Sequence, residues 1–289
     1  MEPTSASSWK VRLAALSLGI LGVPFVYLIA LKISNDLRLI SVSGIVFLFF
    51  AAVCLGRKKQ DWVSEVLLIA PVVTVFAYEV LNKIPALWPN VVLWAAAVAI
   101  GSVFVRILRQ RIGFAVALIV TFLIAALWFC NWYAPEQLAS AFSKVKDASA
   151  PSFEFQPVSA GTVPTSSKTG KILLVDFFST TCAPCMAELP EIVAARRDLA
   201  GNNDVDFVLV ASDLGRDTPE GFRAFAQRRG LALPLAFDVS GKAHDSFGLK
   251  GVPALVVLDR SGRVRFTHEG YNPAETNFRR DLVQFIKSL

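Results

Sequence analysis

Five apolar runs fill most of the first 133 residues, each close to the roughly 20 residues an α-helix needs to cross a bilayer, and they leave that half little material for a water-soluble core. They are Val11–Leu31, Leu39–Leu55, Val66–Leu81, Val91–Leu108 and Phe114–Trp132. The second and third are short, and the third carries Glu79, which its position places near a membrane interface. Past residue 133 the composition becomes that of an ordinary soluble domain. Charge divides at the same place: 11 Lys/Arg against 5 Asp/Glu up to residue 133, a balance of +6, and 18 of each thereafter. The positive excess therefore belongs to the membrane loops. No Lys/Arg cluster with interleaved aromatics occurs in the later half, so nothing there calls for a nucleic-acid partner.

Loop charges also predict an orientation. With the N-terminus cytoplasmic, Lys10, Arg12, Arg57, Lys58, Lys59, Arg106, Arg109 and Arg111 fall inside, and only Lys32, Arg38 and Lys83 fall outside. That asymmetry agrees with the positive-inside rule. An odd number of spans then carries the C-terminal half out of the cytoplasm, with Trp128, Trp132 and Tyr133 in the outer interfacial belt. The first run is long for a cleaved signal peptide and no small-x-small site follows it, so it reads as a retained helix. The expected organisation is a multi-span domain over residues 1–133, an Ala/Ser/Lys-rich tether over 134–149, and an extracytoplasmic domain over 150–289 in the cell (inner) membrane.

Within that domain Ser152–Val158 reads as a short leading strand and Gly161–Gly170 as turn material. Lys171–Phe178 is a buried-looking strand, and Met186–Leu199 carries a helical pattern. Asp206–Ala211 is a strand, Pro219–Arg229 a helix, Leu235–Asp238 a strand and Lys242–Phe247 a short helix. Ala254–Asp259 and Arg263–His268 form a hairpin across Arg260-Ser261-Gly262, and Glu275–Ser288 closes the chain as a helix. This order predicts an α/β domain with a mixed central sheet and helices on both faces.

Cys182-Ala183-Pro184-Cys185 straddles the turn between the first strong strand and its helix. There the first sulfur sits at a helix N-terminus, where the dipole and free N–H groups favour a thiolate. The second lies one turn inside, within disulfide range. A purely structural disulfide this short closes a loop too small to stabilise much. Half of a zinc site would need two more ligands, and the other cysteines, Cys54 and Cys130, lie in apolar runs. Those two fall toward opposite ends of their spans, most of a ~30 Å hydrocarbon core apart, which forbids a resting disulfide between them.

Asp176-Phe-Phe-(x)3-Cys-Ala-Pro-Cys-Met-Ala-Glu-Leu-Pro190, with Gly170-Lys171 before it and Gly251-Val252-Pro253 and Asp259-Arg260-Ser261-Gly262 after it, resembles the thioredoxin superfamily, specifically its membrane-anchored TlpA/ResA-like thiol-disulfide oxidoreductases. The resemblance covers about residues 150–289. It implies that Cys182 attacks a client disulfide and Cys185 resolves the mixed disulfide. Asp176, a carboxylate in an apolar strand whose pKa burial raises, would exchange a proton with Cys185. Glu188 matches an acidic residue of the ResA-like branch that tunes the cysteines or contacts client. Pro253 matches the family's cis-proline, with Val252 presenting its backbone to an extended client. Pro190 matches a structural proline. One departure is Thr181, where the family often has Trp, which bears on partner choice.

The resulting expectation is a thiol-disulfide oxidoreductase, a reductase rather than an oxidase or isomerase, since Ala-Pro between the cysteines lacks the His of strongly oxidising relatives. Clients would be exported cysteine-containing proteins, and the resemblance implies apocytochrome c or a metal-site cysteine pair. A separate thiol redox partner would recharge the site, and the lipid bilayer is the remaining partner. Neither cofactor nor bound metal is called for. Two other classes fit less well. A peroxiredoxin-type peroxidase would need Pro where Val175 stands. A copper-binding assembly factor would combine the thiols with His244 or His268, both expected on surface elements.

Overall fold

The computed structural model describes residues 5–33, 36–56, 62–158, 170–201, 203–212 and 216–289. Arg57, Lys58 and Lys59 of the predicted inner loops, and Gly161–Gly170 except its last residue, lie outside them. The chain forms two compact units, Met1–Leu138 and Ala139–Leu289.

The first unit is helical: α1 (Ser5–Ile33), α2 (Leu37–Gly56), α3 (Trp62–Phe76), α4 (Pro89–Gln110) and α5 (Ile112–Trp128). Five helices in the described residues are long and apolar enough to cross a membrane. The third reaches that length by running into a π-helical turn, Ala77–Leu81, which holds an exposed Glu79. With lipid as solvent, helices gain little by hiding apolar surface from one another, and close packing depends on small residues. Gly44 and Gly101 supply them. A side chain at Gly44 would strike the Trp94 indole, whose Nε1–H donates to the Ser41 carbonyl at 3.1 Å. One at Gly101 would lie 2.5 Å from the Phe49 carbonyl oxygen. Cys54 and Cys130 are both free thiols, the first exposed and the second buried.

The second unit is built on one seven-stranded mixed sheet. Its strands are β1 (Ser143–Ser149), β2 (Gln156–Pro157), β3 (Ile172–Phe178), β4 (Val205–Ser212), β5 (Leu235–Asp238), β6 (Ala254–Leu258) and β7 (Arg263–Glu269). Their spatial order is β1-β7-β6-β3-β4-β5-β2. The three neighbours β3, β4 and β5 are parallel, and every other pairing is antiparallel. Helices α7 (Ala183–Asp198), α8 (Pro219–Arg229) and α10 (Phe278–Lys287) cover one face, on which Ile172, Leu174, Leu255 and Val257 point. Helix α9 (Lys242–Ser246), Phe153 and Phe155 cover the other, packing on Leu173, Val175 and Phe177. Every residue of β3 is consequently buried.

The predicted strands and helices of this unit are present, with three differences. The stretch read as a partly helical tether, 134–149, holds the helix α6 (Ala134–Phe142), which buries Leu138, and also an unforeseen strand, β1, paired with β7. Edge strands need no apolar alternation, because backbone bonds on one side suffice and charged side chains blunt the free edge. In β1 the Asp147 carboxylate accepts from Arg263 Nε at 2.5 Å. The leading strand shrinks to the two residues of β2, and its phenylalanines serve as core instead. The last helix starts at Phe278 rather than Glu275, because Glu275 closes a preceding turn by accepting the Asn272 N–H at 2.9 Å.

Candidate active site

Strand β3 runs through the centre of the sheet and ends in a turn that delivers the cysteines to the start of α7. The turn is tied from outside: Asp217, itself buried, accepts the Thr180 N–H at 3.1 Å and the Thr180 hydroxyl. Thr181 is exposed and shares a 3.2 Å hydroxyl contact with Ser179. Cys182 then caps α7. Its backbone is extended, and its Sγ accepts the Cys185 N–H at 3.2 Å, so the helix directs an unpaired donor at this sulfur.

The two cysteines form a disulfide, with Cα atoms 5.2 Å apart. They differ in access, for Cys182 is half-buried whereas Cys185 has no exposed surface. Only the first sulfur can meet an incoming disulfide. The Val252–Pro253 peptide is cis, and the Val252 carbonyl oxygen lies 3.5 Å from Cys182 Sγ. Val252 is itself exposed and borders a cavity of about 250 Å³ lined also by Phe177, Phe178, Val210, His244 and Lys250.

Asp176 and Glu188 both stand on the α7 side of the sheet. Cys185 shares a buried cluster with Phe178 and Leu209, and Leu209 is Asp176's register partner on β4. Cys185, Glu188, Leu189, Ile192 and Ala195 make the inward stripe of α7, so Glu188 follows Cys185 one turn on, facing the sheet. Each carboxyl has one buried oxygen with no hydrogen-bond partner among the described residues. Burial pushes Asp176 from its ordinary 3.8 up to about 8. Glu188 is driven well above the carboxylate range, first by burial and then by the negative charge of Asp176 and Glu275. Burial thus favours the protonated form of both in the disulfide state.

Sequence reasoning missed two members of this buried group. Glu275 is raised to about 8 by burial, against the Asn272 N–H that lowers it. His268, expected at the surface, has no exposure and is depressed to about 3 by burial. His268 Nε2 lies 3.5 Å from Glu275 Oε2, within ion-pair distance, but with both groups pushed toward their neutral forms the contact is an imidazole facing a carboxylic acid. Period-two alternation in β7, which sets His268 on the face of Phe266, was the available signal. His244 is also buried, its Nε2 3.1 Å from the Gly251 carbonyl oxygen. Both histidines, expected on surface elements, are thus buried.

Residues 144–282 match the Redoxin family model. The chain is 30% identical over 118 residues to the thiol:disulfide interchange protein HelX of Rhodobacter capsulatus, covering 40% of this chain and 62% of HelX. It is 22% identical over 143 residues to the thiol-disulfide oxidoreductase ResA of Halalkalibacterium halodurans, covering 50% of this chain and 76% of that protein. A solved structure of a thioredoxin-family thiol:disulfide interchange protein from Chlorobium tepidum TLS matches 50% of this chain and 97% of its own, at 23% identity and a TM-score of 0.41. The chain thus spans less than two thirds of the length of HelX, and its five apolar helices precede the Redoxin match.

Proposed function

We propose that this chain, whose residues 144–282 form a Redoxin/thioredoxin-like domain related to the HelX and ResA oxidoreductases, is a membrane-anchored thiol-disulfide oxidoreductase that reduces disulfides of exported proteins. The observation that carries the reading is the asymmetric pair: an accessible sulfur capping a helix, bonded to a fully buried one beside an acidic cluster. In the reduced state the Cys182 thiolate attacks a client disulfide, forming one S–S bond and releasing one client thiolate. Cys185 gives its proton to a carboxylate of the Asp176–Glu188 group and attacks Cys182 Sγ. The mixed disulfide breaks, and the two electrons leave with the second client thiolate. Val252 offers its backbone to an extended client segment, and the adjoining apolar cavity receives a side chain next to the client cysteine.

Membrane anchoring rests on the five apolar helices. Placement of the Redoxin domain outside the cytoplasm rests on the loop-charge asymmetry, and a separate thiol partner recharges the site. Apocytochrome c is the client class implied by the sequence resemblance. The reducing direction is supported by Ala-Pro between the cysteines and by acids, rather than cations, behind Cys185.

The test uses the full-length protein in detergent. Cys185→Ser should accumulate a mixed disulfide with client through Cys182, and Cys182→Ser should not. Equilibration with glutathione and dithiothreitol gives the potential of the pair. A value near −120 mV would sink the reductase direction. Thiols that never re-form the disulfide would sink the redox function.

A further inference from the structure

Five polar side chains gather on one face of the sheet. Asp176 on β3 is in register with Leu255 on β6, Leu255 with His268 on β7, and His268 with Ser143 on the edge strand β1. Register partners share a face, so Asp176, His268 and Ser143 point the same way as the core under α7 and α10. Two strand spacings, about 10 Å, separate Asp176 from His268. Glu188 enters from α7 and Glu275 from the turn before α10, and Glu188 feels the charge of both Asp176 and Glu275. Glu275 Oε2 and His268 Nε2 stand 3.5 Å apart, both buried and without a hydrogen-bond partner among the described residues, and His268 Nδ1 lies 2.9 Å from Ser143 Oγ.

A typical core would fill this row with Leu and Val. Burying three carboxyls and an imidazole there is costly unless they serve one another. His268 is sealed by rings, with Phe278 4.6 Å, Phe142 5.9 Å and Phe266 6.4 Å from it between centroids. Its polar neighbours besides Glu275 are the Gly270 backbone, which acts to raise its pKa, and Ser143, a half-buried serine on the sheet's edge. Among the described residues of this core, Tyr271 is also ionisable and packs on Phe278; α10 contributes Phe278, Leu282, Val283 and Ile286, and β6 Leu255.

We propose that Glu275 and His268 are the outer half of a proton relay that connects Cys185, through Asp176 and Glu188, to solvent at Ser143. The inference rests on the redox reading above. When Cys185 attacks, its proton enters the Asp176–Glu188 pair, an acid taking a proton on one oxygen as it gives one up from the other. A proton from that pair reaches the outer carboxyl, and Glu275 delivers one to His268 Nε2. His268 releases the proton on Nδ1 to Ser143 Oγ, so the imidazole exchanges tautomers without a lasting positive charge. Reduction of the disulfide runs the chain inward. Electrons never enter the relay, because they travel only between sulfurs. Glu275 and His268 touch no sulfur and act as positioning residues for the proton.

The experiment uses full-length protein in detergent with Cys54→Ala and Cys130→Ala as the parent, reduced and mixed with 5,5′-dithiobis(2-nitrobenzoate). Cys182 releases the first thionitrobenzoate, and attack by Cys185 on the resulting mixed disulfide releases the second. Cys185→Ser assigns that second phase by removing it. In Glu275→Gln and His268→Gln the second phase, relative to the first, should slow roughly tenfold and lose the parent's pH profile, with Glu275→Asp restoring part of it. A folded variant with the parent's ratio and profile overturns the relay. Ser143→Ala, at the half-buried edge, decides the matter if the buried variants fail to fold: slowing with an altered profile is expected, and parental behaviour overturns the relay. A parent that never releases a second equivalent overturns the redox reading itself, and the relay with it.

Discussion

Replacing Asp176 by Asn should flatten the pH dependence of the second unit's stability in the disulfide form. Asp176 titrates near 8 in the fold and near 3.8 when unfolded, because β3 is buried on both faces. Between those values the folded chain holds a proton that the unfolded chain has lost, so stability falls as pH rises. From pH 6.5 to 8 the loss is about 1.4 kcal/mol per pH unit, or roughly 2 kcal/mol, for each carboxyl still protonated in the fold. His268 contributes in the opposite sense: its depressed pKa gives stability that is present above 6.5 and lost as pH falls toward 3. Its residual slope in this window is common to parent and variant, so their difference isolates Asp176. All six tryptophans lie in the first 133 residues, and their fluorescence is blind to this unit. Hydrogen exchange of peptides spanning β3 in the full-length protein, corrected for intrinsic rates, reads its opening free energy directly. The parent should lose roughly 2 kcal/mol more protection than Asp176→Asn between pH 6.5 and 8. Equal losses would mean that Asp176 is ionised in the fold, and its role as a proton store for Cys185 would fail.

Three further outcomes follow from local geometry. Buried Asp238 accepts the N–H groups of Ala243 and His244, both at 2.9 Å, and Asp238→Ala should cost about 2–3 kcal/mol by stranding two buried donors, read as faster exchange in α9. Thr218 caps α8 by accepting the Gly221 N–H at 3.1 Å, so Thr218→Ala should destabilise by about 1 kcal/mol, seen as lost protection at the start of α8. At the β6–β7 turn, burial alone would raise the Asp259 pKa, but bonds from Ser261, Arg263 and Arg265 bring it down to about 2. Its contribution is present above pH 3.8 and lost toward pH 2, so Asp259→Asn should lower stability by roughly 2 kcal/mol at pH 4 and above, flatten the rise between pH 2 and 4, and leave the slope above pH 6 unchanged.

What the sequence made legible was whatever a short window encodes. Thr218-Pro219 and Gly230, the latter at φ +63°, bracket α8, and both of its predicted ends hold because cap and stop are local chemistry. The unbroken apolar run of β3 announced a strand buried on both faces, which in turn made Asp176 conspicuous. Strand β1 escaped notice because an edge strand advertises itself through a partner 114 or more residues away, not through its own side chains. Glu275 escaped for a subtler reason. As the expected first residue of the last helix, Glu275 reads as an ordinary acidic side chain at a helix start. One carboxylate oxygen serves the Asn272 N–H, and the other faces His268. A local role thus accounted for the residue before its second contact was visible. The same register that joins Asp176 to His268 through Leu255 is set by three strands far apart in sequence. Window reading finds the nucleophile and its first carboxyl, whereas the path a proton would take away from them exists only once those strands are laid side by side.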